Sequence, residues 1–218
     1  MESGWRGAED SLRGAQASGR RASGRTDHAE EDSGLREPAR IARPTALVLT
    51  ISDRAAAGER EDRSGRLVAE RLTALGFAAE QAIVPDERDR IEGALSHGAE
   101  RHPLVVTTGG TGLTPRDVTP QATLAVIDYE VPGLAEAMRA EGRRQTPMAA
   151  LSRAVVGVRG RSLIVNLPGS PSGAIESLDA IADVLPHALE TLAGPYDHAT
   201  RAHRAVASVE PAGEEGPG

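Results

Sequence analysis

Cysteine and lysine are both absent from this 218-residue chain, so its 25 basic side chains other than histidine are all arginine. Without cysteine, the chain has no disulfide, thiol nucleophile or thiolate zinc site. Without lysine, it has neither a Schiff-base amine nor the lysine of a P-loop. Any chemistry must therefore use carboxylates, hydroxyls, arginines, backbone amides or a bound cation.

Long apolar runs and excess positive charge are missing as well. No stretch approaches the roughly 18 consecutive apolar residues of a membrane helix, and no apolar signal core follows the amino terminus. We therefore expect a cytoplasmic protein with no membrane partner. The formal net charge of −7 argues against nucleic acid as a main partner. Backbone N–H groups could still hold a small anionic ligand.

The composition divides the chain into three parts. Residues 1–44 carry eight arginines and eight acidic residues among many Gly, Ser and Ala, which predicts a disordered tail. The alternative for this segment is a docking arm that folds on a partner. Residues 45–195 are expected to form one folded domain, and residues 196–218 a flexible carboxyl-terminal tail.

Between the tails, short β-branched runs alternate with helical patterns, as in strands joined by crossover helices. Ser64 and Thr119 are predicted to cap two of the helices, and Pro186 is predicted to kink or break the last one. The six histidines show no zinc-type spacing and are interpreted as surface residues. Strands are predicted at residues 45–51, 77–84, 104–108, 155–158 and 162–167.

The strongest local signal is the glycine-rich run Thr107–Gly112, which directly follows an apolar strand. In an open parallel sheet, ligands collect beyond the carboxyl ends of the strands, and glycines there let the main chain approach a ligand closely. Neither the dinucleotide fingerprint nor the P-loop fits this run. It is therefore a candidate anion site, or else a tight connection that needs positive φ angles.

Two aspartates stand at ends of predicted elements near this run. Asp117 precedes a helix start, where it could hold hydrated Mg²⁺ against phosphate oxygens or serve as a turn or capping residue. Asp86 follows Pro85 at a strand end and carries the same ambiguity.

Two further loops join strands to helices. The loop from Ser52 to Gly65 suits a phosphate or a polar ring edge, and the alternative is simple capping by Ser64. The loop Leu167–Gly173 has no serine at the position that a nucleophile elbow requires.

Six segments, in this order, resemble the MogA/MoaB family of molybdenum cofactor biosynthesis proteins, which are related to gephyrin and the plant Cnx G domains. They are LTISDR (49–54), EDRSG (61–65), VPDE (84–87), TTGGTGLTPRDVTPQAT (107–123), ALSRA (150–154) and LPGSPSG (167–173). The resemblance runs from about Thr45 to Gly194. It implies a three-layer α/β/α fold with a mostly parallel central sheet, and a homotrimer.

The resemblance also implies an activity: adenylyl transfer from ATP, with Mg²⁺, to the terminal phosphate of molybdopterin. Asp86 and Asp117 then match the family's important aspartates, and Asp117 would help to hold the metal. A molybdenum insertase would act downstream. The alternatives are a molybdopterin carrier without turnover and an oligomeric scaffold. The implied substrate-binding residues are Ser52, Asp53, Asp62, Ser64, Gly65, Thr108, Gly109, Gly110, Thr111, Gly112, Gly169 and Ser170.

Overall fold

A computed structural model describes residues 43–194 of the chain. Apart from Arg43 and Pro44, the residues of the two predicted tails lie outside this range, as does Pro195. In the part that is described, no helix is both long enough and apolar enough to pass through a lipid bilayer.

Residues 43–194 form six strands, seven α-helices and a 3₁₀ turn at Pro147–Leu151. The strands are Thr45–Ile51 (β1), Ala78–Val84 (β2), Leu104–Thr108 (β3), Tyr129–Glu130 (β4), Val156–Arg159 (β5) and Ser162–Leu167 (β6). The helices are Asp53–Ala56 (α1), Arg63–Ala74 (α2), Arg88–Arg101 (α3), Thr119–Val126 (α4), Pro132–Gln145 (α5), Pro171–Asp179 (α6) and Leu185–Ala193 (α7). All five predicted strands are confirmed to within one residue at their amino-terminal ends and one at their carboxyl ends.

The strands form one sheet in the order β2-β1-β3-β6-β5-β4. The first four are parallel, and β5 and β4 continue the sheet antiparallel. The register places Thr50 of β1 beside Thr108 of β3, and Thr108 beside Leu167 of β6. Four parallel strands therefore end at the same edge of the sheet.

Helices cover both faces of this sheet because successive strand residues point to opposite sides. Val48 packs in a core cluster with residues of α2, α5, α6 and α7, whereas the next residue, Leu49, packs with residues of α3 and α4. In β3, Val106 and Val105 divide between the two clusters in the same way. The predicted three-layer α/β/α fold is confirmed.

Both predicted helix caps were wrong in detail. The N-cap of α2 is Asp62, whose carboxylate accepts a hydrogen bond from the Gly65 N–H at 2.8 Å. Ser64 lies inside the first turn instead. Thr119 is the first residue of α4, and its hydroxyl donates to the Gly109 carbonyl at 2.9 Å rather than capping the helix. In both cases the hydroxyl bonds to the end of β3 or to the residue after it, with Thr108 as the partner of Ser64 and Gly109 as the partner of Thr119.

The break predicted at the last helix is confirmed. The chain leaves α6 at Asp179 and starts α7 at Leu185, with Pro186 in the first turn, where its missing N–H removes no hydrogen bond. The interpretation of the histidines as surface residues was wrong for His102, which is only 5% exposed. It follows α3 immediately, and burial lowers the pKa of its imidazole.

A buried polar network ties α4 to the sheet beneath the carboxyl edge. The amide of Asn166 in β6 donates to the hydroxyls of Thr107 in β3, at 3.1 Å, and Thr123 in α4, at 2.9 Å. All three side chains are fully buried. Since a buried polar group is stable only when it is hydrogen-bonded, this network fixes the position of α4 relative to the strands.

Candidate functional site

Four loops meet where the parallel strands end. Ser52 follows β1, Asp86 follows β2, Gly109 follows β3 and Gly169 follows β6. They surround a polar cleft of about 340 Å³. The predicted site residues that line it are Ser52, Asp62, Ser64, Asp86, Thr108, Gly109, Gly110 and Gly169. We call this space the polar cleft.

Hydroxyl and carboxylate groups form the floor of the polar cleft. Thr50 donates to the Asp62 carboxylate at 2.6 Å, and Thr108 donates to the Ser64 hydroxyl at 2.9 Å. A Cβ placed on Gly65 would lie 2.2 Å from Oδ2 of Asp62 and 2.2 Å from Oγ1 of Thr50. Any side chain at position 65 would therefore separate the helix from the strand end.

The polar cleft is suited to anions. The amino terminus of α2 opens into it, and a helix amino terminus presents free N–H groups and a partial positive charge. Arg60 and Arg63 add two guanidinium groups to the lining. The lining also holds the carboxylates of Glu61, Asp62 and Asp86, so it offers donors for phosphate oxygens at the arginines and acceptors for a cation at the carboxylates.

We call residues 109–112, which follow β3, the glycine loop, and its main chain packs closely against the ends of the neighbouring strands. Gly109 and Gly110 have φ angles of +105° and +62°. A Cβ on Gly109 would lie 2.4 Å from the carbonyl oxygen of Ile51, and a Cβ on Gly169 would lie 3.2 Å from Cα of Gly109. The loop is thus held between the ends of β1 and β6 with room for main chain only.

Asp53 and Asp86 lock two of the loops together. The Asp53 N–H donates to Oδ2 of Asp86, and the Asp86 N–H donates to Oδ1 of Asp53, each at 2.9 Å. Arg116, from the segment after the glycine loop, donates to Oδ2 of Asp53. Asp53 therefore joins three loops, although it does not line the polar cleft itself.

The two aspartates differ in electrostatic environment. Burial raises the pKa of Asp86 above its ordinary value of 3.8, and the negative charges of Asp53 and Asp117 act in the same direction. The hydrogen bond from Arg116 lowers the pKa of Asp53, helped by the backbone of Asp86. Asp86 is consequently a partly desolvated carboxylate in the polar cleft, an arrangement that favours a cation beside it.

Asp117 lies in the segment after the glycine loop but does not line the polar cleft. Its Oδ2 accepts hydrogen bonds from the Thr114 N–H at 2.8 Å and the Thr114 hydroxyl at 2.6 Å. Burial alone would raise the pKa of Asp117, but hydrogen bonds from Thr114 and the Gly112 backbone outweigh it, and the net pKa is lowered. The turn role that the sequence left open is thus observed, and the metal role stays a prediction.

A second cleft, of about 400 Å³, lies on the other side of the glycine loop, and we call it the apolar cleft. Leu113, Met138, Met148 and Leu151 contribute its apolar wall. The predicted site residues that line the apolar cleft are Thr111, Gly112 and Ser170. The glycine loop and the loop after β6 therefore each contribute to both clefts.

The donor set near Asp86 fits Mg²⁺ only if a substrate supplies part of the coordination. Within residues 43–194, no group of three or more histidine, cysteine, aspartate or glutamate side chains is placed to hold a metal ion. Oδ1 of Asp86 faces the glycine loop, since a Cβ on Gly110 would lie 3.4 Å from it. Mg²⁺ commonly keeps several waters and binds one or two carboxylates together with substrate phosphates.

Sequence reasoning missed two arginines. Arg116 lies within the quoted Thr107–Thr123 motif and Arg153 within the ALSRA motif, but neither received a role. Arg153 donates to the carbonyls of Gly112, at 2.7 Å, and Asp117. Both arginines act on backbone or on side chains distant in sequence, which motif spacing does not reveal.

The fold and the two clefts define an α/β protein with a candidate ligand site at the carboxyl edge of its sheet. Residues 47–187 match the protein family described as "Probable molybdopterin binding domain". The chain belongs to this family.

Curated relatives and solved structures agree with this membership. The chain is 43% identical over 156 residues to the molybdopterin adenylyltransferase of Helicobacter pylori strain J99, which covers 68% of this chain and 88% of that protein. It is 39% identical over 166 residues to the molybdopterin adenylyltransferase of Escherichia coli K12, covering 68% and 85%. The crystal structure of the molybdopterin biosynthesis enzyme MoaB from Thermus thermophilus is 52% identical, with a TM-score of 0.65 over 71% of this chain and 99% of that chain.

Proposed function

We propose that this chain is a molybdopterin adenylyltransferase, which transfers the adenylyl group of ATP to the terminal phosphate of molybdopterin and releases pyrophosphate. One observation carries the proposal. The polar cleft, with its arginines and helix amino terminus, and the apolar cleft share the glycine loop as a wall. Two phosphorylated, ring-bearing substrates can therefore bring their phosphates together at that loop. Relatives at 39% and 43% identity carry this activity in their names.

The reaction needs no nucleophile from the protein. An oxygen of the molybdopterin phosphate forms a bond to the α-phosphorus of ATP, while the bond from that phosphorus to the bridging oxygen of pyrophosphate breaks. The protein must hold two anions in line and stabilise the charge that moves onto the leaving group. The absence of cysteine and lysine is compatible with this chemistry.

The residues of the polar cleft divide this task. Arg60, Arg63 and the N–H groups at the start of α2 bind phosphate oxygens and offset their charge. The glycine loop lets the main chain approach the reacting phosphates, because no Cβ could fit there. Asp86 contributes negative charge on the same side, which orients a cation between protein and phosphate.

We propose Mg²⁺ as that cation, with Asp86 and the substrate phosphates as its ligands and Asp117 as the second protein carboxylate. When bound, the ion would neutralise developing negative charge on the phosphate oxygens. Both hydrogen bonds from Thr114 go to Oδ2 of Asp117, which leaves Oδ1 as the oxygen that could reach a metal, but Asp117 does not line the polar cleft as Asp86 does. Asp86 is therefore the stronger candidate ligand.

The resemblance also supports three proposals about the setting of the enzyme. The chain would act in the cytoplasm as a homotrimer, and a molybdenum insertase would consume its product. The size of the assembly can be measured by sedimentation equilibrium, where a mass near three chains is expected and a monomer would contradict the proposal.

The decisive experiment incubates the protein with molybdopterin, ATP and Mg²⁺ and measures adenylyl-molybdopterin and pyrophosphate. We expect the two products in equal amounts, and little of either from the variant Asp86→Asn. Binding of molybdopterin without ATP-dependent product would instead support the carrier without turnover. Absence of both binding and product would refute the proposed function altogether.

A further inference from the structure

Arg153 contacts the glycine-loop region from outside both clefts. It lies just before β5, and its backbone N–H donates to the Thr111 carbonyl at 3.0 Å. Its Nε donates to the Gly112 carbonyl at 2.7 Å, and its Nη2 donates to the Asp117 carbonyl. One residue thus holds three carbonyls of the segment that follows the first two glycines.

The guanidinium closes the neck of a loop. Gly112 and Asp117 are the two ends of the segment 112–117, and Arg153 bridges their carbonyl oxygens with two donors of one planar group. The four residues between these ends are exposed, whereas Arg153 is half-buried. The ammonium group of a lysine at this position would be a compact point charge and would not reproduce the forked geometry of the guanidinium.

The bridge also sets the direction of the peptide groups. In a trans peptide, the carbonyl and the following N–H point in opposite directions. The three carbonyls turned toward Arg153 therefore leave the N–H groups of Gly112, Leu113 and Val118 pointing away from it. The carbonyl oxygens of Gly112 and Asp117, which would repel a phosphate, are bonded to the guanidinium cation instead.

The loop closed by Arg153 is linked to Asp86 of the polar cleft through Arg116 and Asp53. At its tip, Arg116 donates to Asp53, and Asp53 in turn exchanges hydrogen bonds with Asp86. At its end, Asp117 is fixed by Thr114. Loss of the Arg153 hydrogen bonds would therefore affect the position of Asp86 through Arg116 and Asp53, without any contact between Arg153 and a ligand.

We propose that Arg153 is a positioning residue for the transfer reaction. Its guanidinium joins the two ends of the 112–117 loop by hydrogen bonds, so that Arg116 and Asp117 are held in place. The proposal rests on the proposed function, because it names a residue that supports that same site.

Arg159 provides a matched control. It is also a half-buried arginine, at the carboxyl end of β5, and its guanidinium donates to a backbone carbonyl, that of Val126 at 2.6 Å. It lines neither cleft and does not contact the glycine loop. Arg159→Lys therefore reports the general cost of losing an arginine-to-carbonyl contact.

The test compares Arg153→Lys with Arg159→Lys in the full chain. We expect Arg153→Lys to lower kcat/KM for adenylyl transfer about 10- to 100-fold, because small displacements of positioning groups have effects of that size. The amides of Thr114 and Asp117, which are hydrogen-bonded within the loop, should exchange hydrogen faster in Arg153→Lys than in the wild-type protein, while Arg159→Lys leaves both measurements unchanged. The two variants should have similar Tm values.

Hydrogen exchange is measured on the ligand-free protein, so it does not depend on turnover. If the wild type makes no product but Arg153→Lys still speeds exchange at Thr114 and Asp117 and weakens binding of Mg²⁺-ATP, the proposed function fails and the positioning role stands. Wild-type kcat/KM in Arg153→Lys, or unchanged local exchange, would overturn the inference. If the lysine variant does not fold, Arg153→Ala should recover part of its activity with millimolar free guanidinium, and no recovery counts against the proposal.

Discussion

Asp53 and Asp86 hold each other by reciprocal hydrogen bonds, in which the N–H of each donates to the carboxylate of the other at 2.9 Å. The pairing follows from the sheet, because Ile51 and Val84 end adjacent parallel strands side by side. The loops after β1 and β2 therefore leave the sheet next to each other. The arrangement keeps a desolvated carboxylate, that of Asp86, in a fixed place beside the glycine loop.

Asp86→Asn should separate activity from stability. The amide oxygen of asparagine can still accept from the Asp53 N–H, but the negative charge is lost, and we expect adenylyl transfer to fall about 100-fold or more. Burial raises the pKa of Asp86, so its charged form destabilises the folded state. In urea titrations, the variant should become more stable relative to wild type as pH rises from 3.8 through the raised pKa. A variant less stable than wild type at neutral pH would contradict this account.

Arg116→Gln should shift the pH dependence of activity. Arg116 lowers the pKa of Asp53 by its hydrogen bond and lowers the pKa of Asp86 by its charge. Without it both carboxylates protonate at higher pH, so the acidic limb of kcat/KM should move to higher pH. Arg71→Gln is the control, because Arg71 also forms a tertiary ion pair, with Asp179 at 2.6 Å, away from the clefts. If the acidic limb of kcat/KM lies at the same pH in Arg116→Gln as in the wild type, Arg116 does not control the protonation of a carboxylate that activity requires.

Asp117→Asn tests whether this aspartate acts on the metal or only shapes its loop. We expect a loss of about 100- to 1000-fold in kcat if its charge supports the transfer. Thr114→Val removes the 2.6 Å hydroxyl donor while leaving the charge, and should cost far less. Equal losses in the two variants would assign Asp117 to loop shape alone, and full activity in Asp117→Asn would remove it from the reaction.

Gly109→Ala should destabilise the protein by about 1–3 kcal/mol or more from backbone strain, because the φ angle is +105° and the added Cβ meets the Ile51 carbonyl oxygen. Gly93→Ala is the matched substitution, since Gly93 lies in α3 and a Cβ added there would have no atom within 4 Å. There alanine should stabilise by about 0.5–1 kcal/mol. Urea unfolding measures both, and equal effects would contradict the account of the glycine loop.

The sequence predicted the strands well because β1, β3 and β6 are buried on both faces and read as apolar runs of strand length. It missed the two-residue strand β4 and the four-residue helix α1, which are too short to show a period. The helix caps were wrong because Asp62 caps α2, while the Ser64 hydroxyl accepts from Thr108 of β3, and because the Thr119 hydroxyl donates to the Gly109 carbonyl. Local sequence does not encode those tertiary partners.

The candidate site was predicted in part. The strand-end rule, together with the family resemblance, indicated the four loops. Asp86, Gly110 and Gly169 line one cleft as expected, whereas Asp117, which was expected in the same cleft, lines neither cleft. The division into a polar and an apolar cleft could not be predicted, because Met138 and Met148 of the apolar wall come from α5 and the 3₁₀ turn that follows it. Neither segment carries a recognisable ligand motif. The roles of Arg116 and Arg153 likewise depend on contacts 36 to 63 residues apart in sequence.

The glycine loop is one stretch of main chain between two compartments, with Gly110 facing the first and Thr111 the second. A ligand that binds in one cleft and orders the glycine loop reduces the conformational entropy that the loop loses when a second ligand binds in the other cleft. The two substrates should then bind with synergy, each raising the affinity for its partner by the same factor, as thermodynamic reciprocity demands.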